Sequence, residues 1–154
     1  MYRTIVVGTD CSPTATAAVM KAADLAKLAG ARLYLVSAYP AAAKPAPKVE
    51  DFAFAYTAVG GGAVLFDPGD EGAAERRIHV DALARDLRAR GITVETRIEV
   101  GSAASVLVRL ADTLDADLLV VGDRGLKGLR GVLGSVPERV THRARLDVLV
   151  VHTT

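Results

Sequence analysis

The sequence predicts a three-layer α/β/α fold in which helices cover both faces of a five-stranded parallel sheet. Short strands alternate with longer helical segments along the chain, which implies right-handed crossovers between parallel strands. The runs DLLVV at 117–121 and DVLVV at 147–151 are apolar without alternation, as is typical of strands buried on both faces. The 154 residues, 51% of them hydrophobic, suffice for a single domain over 1–154 with its own core.

The first half of the chain carries two predicted strands around one helix. Thr4–Gly8 is a β-branched run that ends in glycine, and 32–38 is a second apolar strand. Between them, Ser12 supplies a helix N-cap and Pro13 occupies the first helical position. The alanine-rich helix that follows is expected to end at Gly30.

The second half supplies three more strands and three more helices. Residues 71–90 place apolar or small side chains on one face and charges elsewhere, which predicts an amphipathic helix that ends at Gly91. The remaining predicted elements are a strand at 92–100, a helix at 102–114, a strand at 117–121, a helix at 135–144 and a strand at 146–152.

One long connection, at 39–70, interrupts this regular alternation. It contains four prolines, the triplet Gly60-Gly61-Gly62 and much of the aromatic content of the chain. Connections of this length are typically functional lids or mobile insertions. The sequence favours neither alternative over the other: the connection could be a functional lid or interface, or a loop without a function.

Composition excludes several classes of function. The 19 basic and 18 acidic residues nearly balance, so neither a nucleic-acid nor a membrane surface is expected. No apolar run approaches the ~18 residues of a membrane span and no signal peptide is visible, so a cytoplasmic protein is expected. The single cysteine, Cys11, excludes a disulfide framework and a cysteine-based metal cluster. His79, His142 and His152 are too widely spaced to predict a metal site.

A glycine-rich segment after the fourth strand is the candidate phosphate site. Neither G-x-x-x-x-G-K-[ST] nor G-x-G-x-x-G occurs there, but a strand, a glycine-rich loop and the start of a helix follow one another. Glycines allow the backbone to approach an anion closely, and free N–H groups at a helix start bind anions. The S-x-x-E pattern at 135–138 could simply cap the helix. The six basic and two acidic residues of 122–145, a net charge of 6 − 2 = +4, favour a phosphate ligand.

Asp10 is the candidate for recognition of a nucleotide base. In an open parallel sheet, ligands bind beyond the carboxyl ends of the strands where the winding direction reverses. If the strand order is 3-2-1-4-5, strands one and four are neighbours, and the turn Gly8-Thr9-Asp10 faces the same crevice as the glycine-rich segment. Asp10 can accept a hydrogen bond from an exocyclic amine, although the helix dipole also favours an acid there. Cys11 lies at the same helix N-terminus, a position that can lower the pKa of a thiol.

Four segments together resemble the universal stress protein family, in its ATP-binding branch. They are IVVGTDCSPTATAAV, VGSAASVLVRLADTLDADLLVVG, the GDRG…GS pattern and DVLVVHTT. The resemblance covers residues 2–152 apart from the connection. The family's phosphate signature is G-x2-G-x9-G-[ST]. Gly122, Gly125 and Gly134-Ser135 follow it, with eight residues in place of nine before Gly134.

The resemblance implies the fold, the ligand and the ligand-binding residues. The fold would be adenine nucleotide alpha hydrolase-like and Rossmann-like, with sheet order 3-2-1-4-5. The ligand would be ATP, with Mg²⁺ as an accompanying ion, or cyclic AMP, and the protein would be a binding module of the stress response without catalytic residues or metal ligands of its own. Implied at the nucleotide are Gly8, Thr9, Asp10, Val36, Ser37, Gly122, Asp123, Arg124, Gly125, Gly134, Ser135 and Val136.

Two other functions stay open at the level of the sequence. A slow ATP hydrolase or phosphotransferase is disfavoured because Asp123 is the only acid in the glycine-rich loop. A nucleotide-free dimerisation module is favoured if the shortened loop closes on itself.

The last strand is expected to join two copies of the chain in a homodimer. In the order 3-2-1-4-5 the strand at 146–152 lies at a sheet edge, where unpaired backbone groups invite another strand. Its apolar run has only Asp147 near its start and no proline to blunt the edge. Antiparallel pairing about a two-fold axis would extend the sheet across both subunits, unless the connection at 39–70 covers the edge.

Overall fold

The computed structural model of the chain describes residues 1–40, 71–123 and 136–153, without the side chains of 71 and 72. The predicted connection beyond residue 40 and residues 124–135 of the glycine-rich segment lie outside this part of the chain. The described elements are β1 (Thr4–Gly8), α1 (Pro13–Ala29), β2 (Arg32–Tyr39), α2 (Glu71–Ala89), β3 (Val94–Val100), α3 (Ala103–Thr113), β4 (Leu118–Gly122), α4 (Val136–Arg143) and β5 (Asp147–Val151).

The strands form one parallel sheet in the order β3-β2-β1-β4-β5, which confirms the predicted fold and topology. At the carboxyl edge, Gly8 of β1 lies opposite Val36 of β2, and Gly122 of β4 lies opposite Val151 of β5. The chain winds outwards in opposite directions from the β1–β4 pair. The crevice beyond the ends of these two strands is therefore where a ligand of such a sheet is expected.

Both faces of the sheet are covered by helices. α1 and α2 pack on one face against an apolar cluster that includes Ile5 and Val7. α3 and α4 pack on the other face against a cluster that includes Val6 and Val36. Successive residues of β1 thus enter opposite layers, which explains why the strand is apolar without alternation.

The helices begin and end largely where the sequence predicts. The Ser12 hydroxyl accepts a hydrogen bond from the Ala15 amide over 3.1 Å, and Pro13 is the first helical residue. The C-cap Gly30 has φ 65°, a left-handed conformation that glycine adopts without strain. Within the ranges that the structure describes, no helix combines the length and the apolar character needed to cross a membrane.

Several predicted boundaries shift by one or two residues. β3 begins at Val94 rather than residue 92, because the buried Ile92 side chain packs into the core before the strand pairs with β2. α3 begins at Ala103, with Ser102 as its N-cap. β5 ends at Val151 rather than residue 152, because the two residues beyond it turn to bond with the end of β4.

Candidate functional site

The turn after β1 is packed closely against its surroundings. A Cβ atom on Gly8 would lie 2.8 Å from Leu107 Cδ1, so a larger residue there would require the Leu107 side chain of α3 to shift. The Thr9 amide donates to the Val36 carbonyl over 2.8 Å, and the Thr9 side chain is buried. The beginning of the turn is thus fixed to the end of β2.

Asp10 lies in the same turn and is held by hydrogen bonds to the chain that follows it. Its Oδ1 accepts from the Ser12 amide over 2.9 Å, and Thr9 Oγ1 accepts from the Cys11 amide over 3.1 Å. Cys11 has φ 65°, in the left-handed region that disfavours a side chain. These bonds hold the Asp10 carboxylate at the carboxyl edge of β1, next to the crevice.

The thiol of Cys11 does not have the lowered pKa that a helix N-terminus can give a thiol. Burial raises the pKa of Cys11, while a hydrogen bond with Ser37 and the positive charge of Arg76 act in the opposite direction. The loss of solvent around the partly buried sulfur outweighs the effect of the helix N-terminus.

An arginine that the sequence analysis did not select reaches this end of the sheet. Arg76 Nη1 in α2 donates to Ser37 Oγ over 3.2 Å, and Ser37 is fully buried in β2, two residues before the strand ends. The two residues are 39 positions apart. Arg76 lies in a helix with many charged residues, and no motif distinguishes it from its neighbours.

The end of β4 is tied to the end of β5. The Asp123 amide donates to the Val151 carbonyl over 2.9 Å. The Asp123 Oδ1 atom accepts from the Thr153 amide over 2.8 Å and from the Thr153 hydroxyl over 2.7 Å, and Oδ2 bonds with His152 Nδ1. A Cβ atom on Gly122 would lie 3.2 Å from Thr153 Cγ2. The residues that open the glycine-rich segment are therefore fixed to the last residues of the chain.

These contacts change how Asp123 behaves as an acid. The two hydrogen bonds from Thr153, and more weakly the contact with His152, hold the pKa of Asp123 at about 2, below its ordinary value of 3.8. Both carboxylate oxygens bond with the end of the chain. Asp123 thus holds the first residues of the segment in place, and it is a poor proton acceptor.

Low pH should reduce the stability of the fold, because the Asp123 carboxylate becomes protonated. Because its folded-state pKa is lowered, its contribution to stability is fully present above pH 3.8 and is lost as the pH falls towards about 2. We expect the difference in unfolding midpoint between the wild type and Asp123→Asn, followed by circular dichroism, to shrink across this window. Asp112→Asn in α3, which removes an exposed carboxylate, controls for the loss of one negative charge. A difference that stays constant with pH would contradict the role of Asp123.

Some of the remaining predicted site residues belong to the described part of the chain, and others do not. Val136 is the first residue of α4, and this helix is anchored by the fully buried Val140. Arg124, Gly125, Gly134 and Ser135 lie outside the described residues. Those that are described lie at the ends of β1, β2 and β4 and the start of α4. No three histidine, cysteine or acidic side chains of the described ranges come together as metal ligands.

Comparison with known proteins gives a match over nearly the whole chain. The profile of the universal stress protein family matches residues 1–152. Universal stress protein Rv1636 of Mycobacterium tuberculosis H37Rv is 41% identical over 157 aligned positions, which cover 99% of this chain and 98% of that protein.

Two solved structures carry nucleotides in the same fold. A crystal structure of a universal stress protein in complex with cAMP has a TM-score of 0.72 and 35% identity, over 99% of this chain and 98% of that one. The universal stress protein of Archaeoglobus fulgidus in complex with dAMP has a TM-score of 0.67 and 24% identity, over 97% of each chain. The second likeness shows a common fold alone.

Proposed function

Because the chain belongs to the universal stress protein family, we propose that it binds an adenine nucleotide, ATP or cyclic AMP, as a regulatory module of a stress response. The 35%-identical family member in complex with cAMP supports an adenine ligand. ATP and cyclic AMP both present adenine, ribose and phosphate, so the same crevice suits either. The observation that carries the proposal is the crevice itself, with Asp10 fixed on its β1 side and Gly122 and the start of α4 on its β4 side.

The β1 side of the crevice suits the base. Asp10 is held by the Ser12 amide, and a carboxylate has about four acceptor sites, so it can also accept from a ligand amine. The buried chain at Thr9, Val36 and Ser37 closes this end of the crevice.

The β4 side suits the ribose and phosphates. Gly122 begins the glycine signature, and α4 offers free N–H groups from its first turn at Val136. By the family pattern, Gly125, Gly134 and Ser135 complete the phosphate contacts, and Arg124 adds positive charge. Mg²⁺ that arrives with ATP would be held by phosphate oxygens and water, as is usual for this ion, since both Asp123 oxygens already bond with the chain.

The properties of Asp123, the acid of the glycine-rich segment, fit a protein that binds a nucleotide better than one that hydrolyses it. A general base works best when its pKa lies near the operating pH. The pKa of Asp123 is about 2, and its carboxylate is held by Thr153 and His152. The ATP hydrolase that the sequence leaves open therefore gains no support from Asp123.

The direct test of the proposed function is to identify what the protein carries from the cell. Mass spectrometry of small molecules released from the purified, heat-denatured chain should detect ATP, cyclic AMP or both, in proportion to protein. The described surface also offers a variant for comparison, Asp10→Ala, which should carry less of either. Recovery of a nucleotide without adenine, in stoichiometric amount, would refute the proposal.

We also propose that β5 joins two copies of the chain. β5 is an edge strand of the sheet, and its Val150 side chain is 42% exposed, which is unusual for a valine within a strand. The Val151 carbonyl accepts from the Asp123 amide in the β4 chain, so the backbone groups of Val150 point to the open edge. Antiparallel pairing of two such edges about a two-fold axis would satisfy these groups and cover the valine.

Val150→Pro should convert the dimer to a monomer, because it removes a backbone donor that faces the partner and leaves the pairing with β4 intact. Val150→Thr, with a similar shape and an unchanged amide, is the matched control and should remain a dimer. Light scattering at micromolar concentration measures both. A monomer mass for the unmodified protein would rule out this assembly.

A further inference from the structure

A guanidinium is anchored at the end of the crevice that we assign to the base. Arg76 donates to Ser37 Oγ over 3.2 Å, and Ser37 follows Val36, the last residue of β2 that pairs with β1. The Val36 carbonyl accepts the hydrogen bond of the Thr9 amide. Arg76 thus lies beside the turn that carries Asp10.

The Arg76 guanidinium has donors beyond the one that anchors it. The side chain is partly buried, and within the described ranges it forms no ion pair with a carboxylate. A guanidinium has five N–H donors, and Ser37 uses one of them. The arginines that do pair with a described carboxylate are Arg32, Arg90, Arg97 and Arg109.

The acid and the guanidinium act on the same small region. Burial raises the pKa of the Cys11 thiol, Ser37 and the charge of Arg76 lower it, and the charge of Asp10 raises it. The Asp10 carboxylate and the Arg76 guanidinium, which is anchored on Ser37, therefore both act at one end of the crevice.

We propose that Arg76 contacts the nucleotide base and donates to the ring nitrogen, N7 or N1, that flanks the amine accepted by Asp10. This inference rests on the proposed function. Adenine presents an amine donor beside a ring-nitrogen acceptor, so one carboxylate and one guanidinium together complement that edge. Guanine has the acceptor O6 in place of the amine, which a carboxylate repels.

The anchoring by Ser37 explains why an arginine suits this position. The planar guanidinium keeps its donors in a fixed geometry, and the bond with the fully buried Ser37 limits its rotation. A side chain that is already ordered loses less entropy when the ligand binds. Ser37 is then a positioning residue for Arg76.

The test compares ATP with 7-deaza-ATP and 1-deaza-ATP, each of which lacks one ring nitrogen. By isothermal titration, the wild type should bind one of these analogues roughly ten- to a hundredfold more weakly than ATP. Arg76→Met keeps the length of the side chain without its donors. It should bind ATP more weakly by a similar factor and no longer discriminate against that analogue. Arg77→Met changes the neighbouring, exposed arginine and should behave as the wild type.

The outcomes separate this inference from the proposed function. Equal binding of ATP and both analogues by the wild type, or full discrimination retained in Arg76→Met, overturns the contact while nucleotide binding stands. Failure of the wild type to bind any adenine nucleotide overturns both. If Arg76→Met does not fold, Arg76→Leu, which also lacks donors, replaces it. Unaltered discrimination in Arg76→Leu counts against the contact, and lost discrimination supports it.

Discussion

Gly125→Val is expected to reduce the affinity for ATP and cyclic AMP by about a hundredfold or more while the domain still folds. By the family signature, the backbone at this position approaches the phosphates directly, and a branched side chain would hold them away from several N–H donors. Each lost hydrogen bond to a charged phosphate is worth about 1.5–3 kcal/mol, and every 1.4 kcal/mol is about tenfold in affinity. Isothermal titration measures the loss, and circular dichroism confirms the fold.

The choice of glycine decides whether this experiment can be interpreted. Gly122 is a poor probe, because a Cβ atom there would lie 3.2 Å from Thr153 Cγ2 and 3.7 Å from Ala18 Cβ, so a valine would disturb packing as well as binding. Gly128→Val is the matched control, since Gly128 belongs to the same segment but not to the family signature. An unchanged affinity in Gly125→Val, or an equal loss in Gly128→Val, would contradict the assigned role.

Asp10→Asn is expected to lower the affinity for ATP by roughly ten- to a hundredfold. The affinity for GTP should stay unchanged or rise. Asparagine keeps an oxygen that can accept from the Ser12 amide, so the turn is preserved. Its NH2 group replaces a carboxylate oxygen, which removes an acceptor for the adenine amine and offers a donor to guanine O6. The ratio of ATP to GTP affinity, measured by competition titration, should therefore fall.

Asp10→Ala separates base recognition from support of the turn. It removes both the acceptor for the ligand and the bond with the Ser12 amide, so it should lose ATP affinity at least as strongly as Asp10→Asn. Equal losses for ATP and GTP in both variants would mean that Asp10 only supports the turn.

Much of the fold could be predicted because its signals are local. The β-branched run of Thr4–Gly8, the cap formed by Ser12 and Pro13, and the stop at Gly30 depend on neighbouring residues, and all three are found as predicted. The strand order followed from the family resemblance and is confirmed. Boundaries moved where a tertiary contact intervened, as at Ile92, whose burial precedes the pairing of β3.

The candidate site was less predictable because its key contacts are distant in sequence. The bond between Arg76 and Ser37 spans 39 positions, and the one between Asp123 and Thr153 spans 30. No periodicity or motif reports such pairs. The raised pKa of Cys11 could not be predicted from the sequence, because the burial of its thiol depends on the packing of the whole turn.

The most direct measurement is equilibrium titration of the unmodified chain with ATP, cyclic AMP and GTP. We predict saturable binding of ATP or cyclic AMP at one site per chain, and binding of GTP that is weaker by roughly tenfold or more, as one unsatisfied hydrogen bond requires. Absence of saturable binding of either adenine nucleotide at millimolar concentration, or equal affinity for GTP, would contradict this prediction.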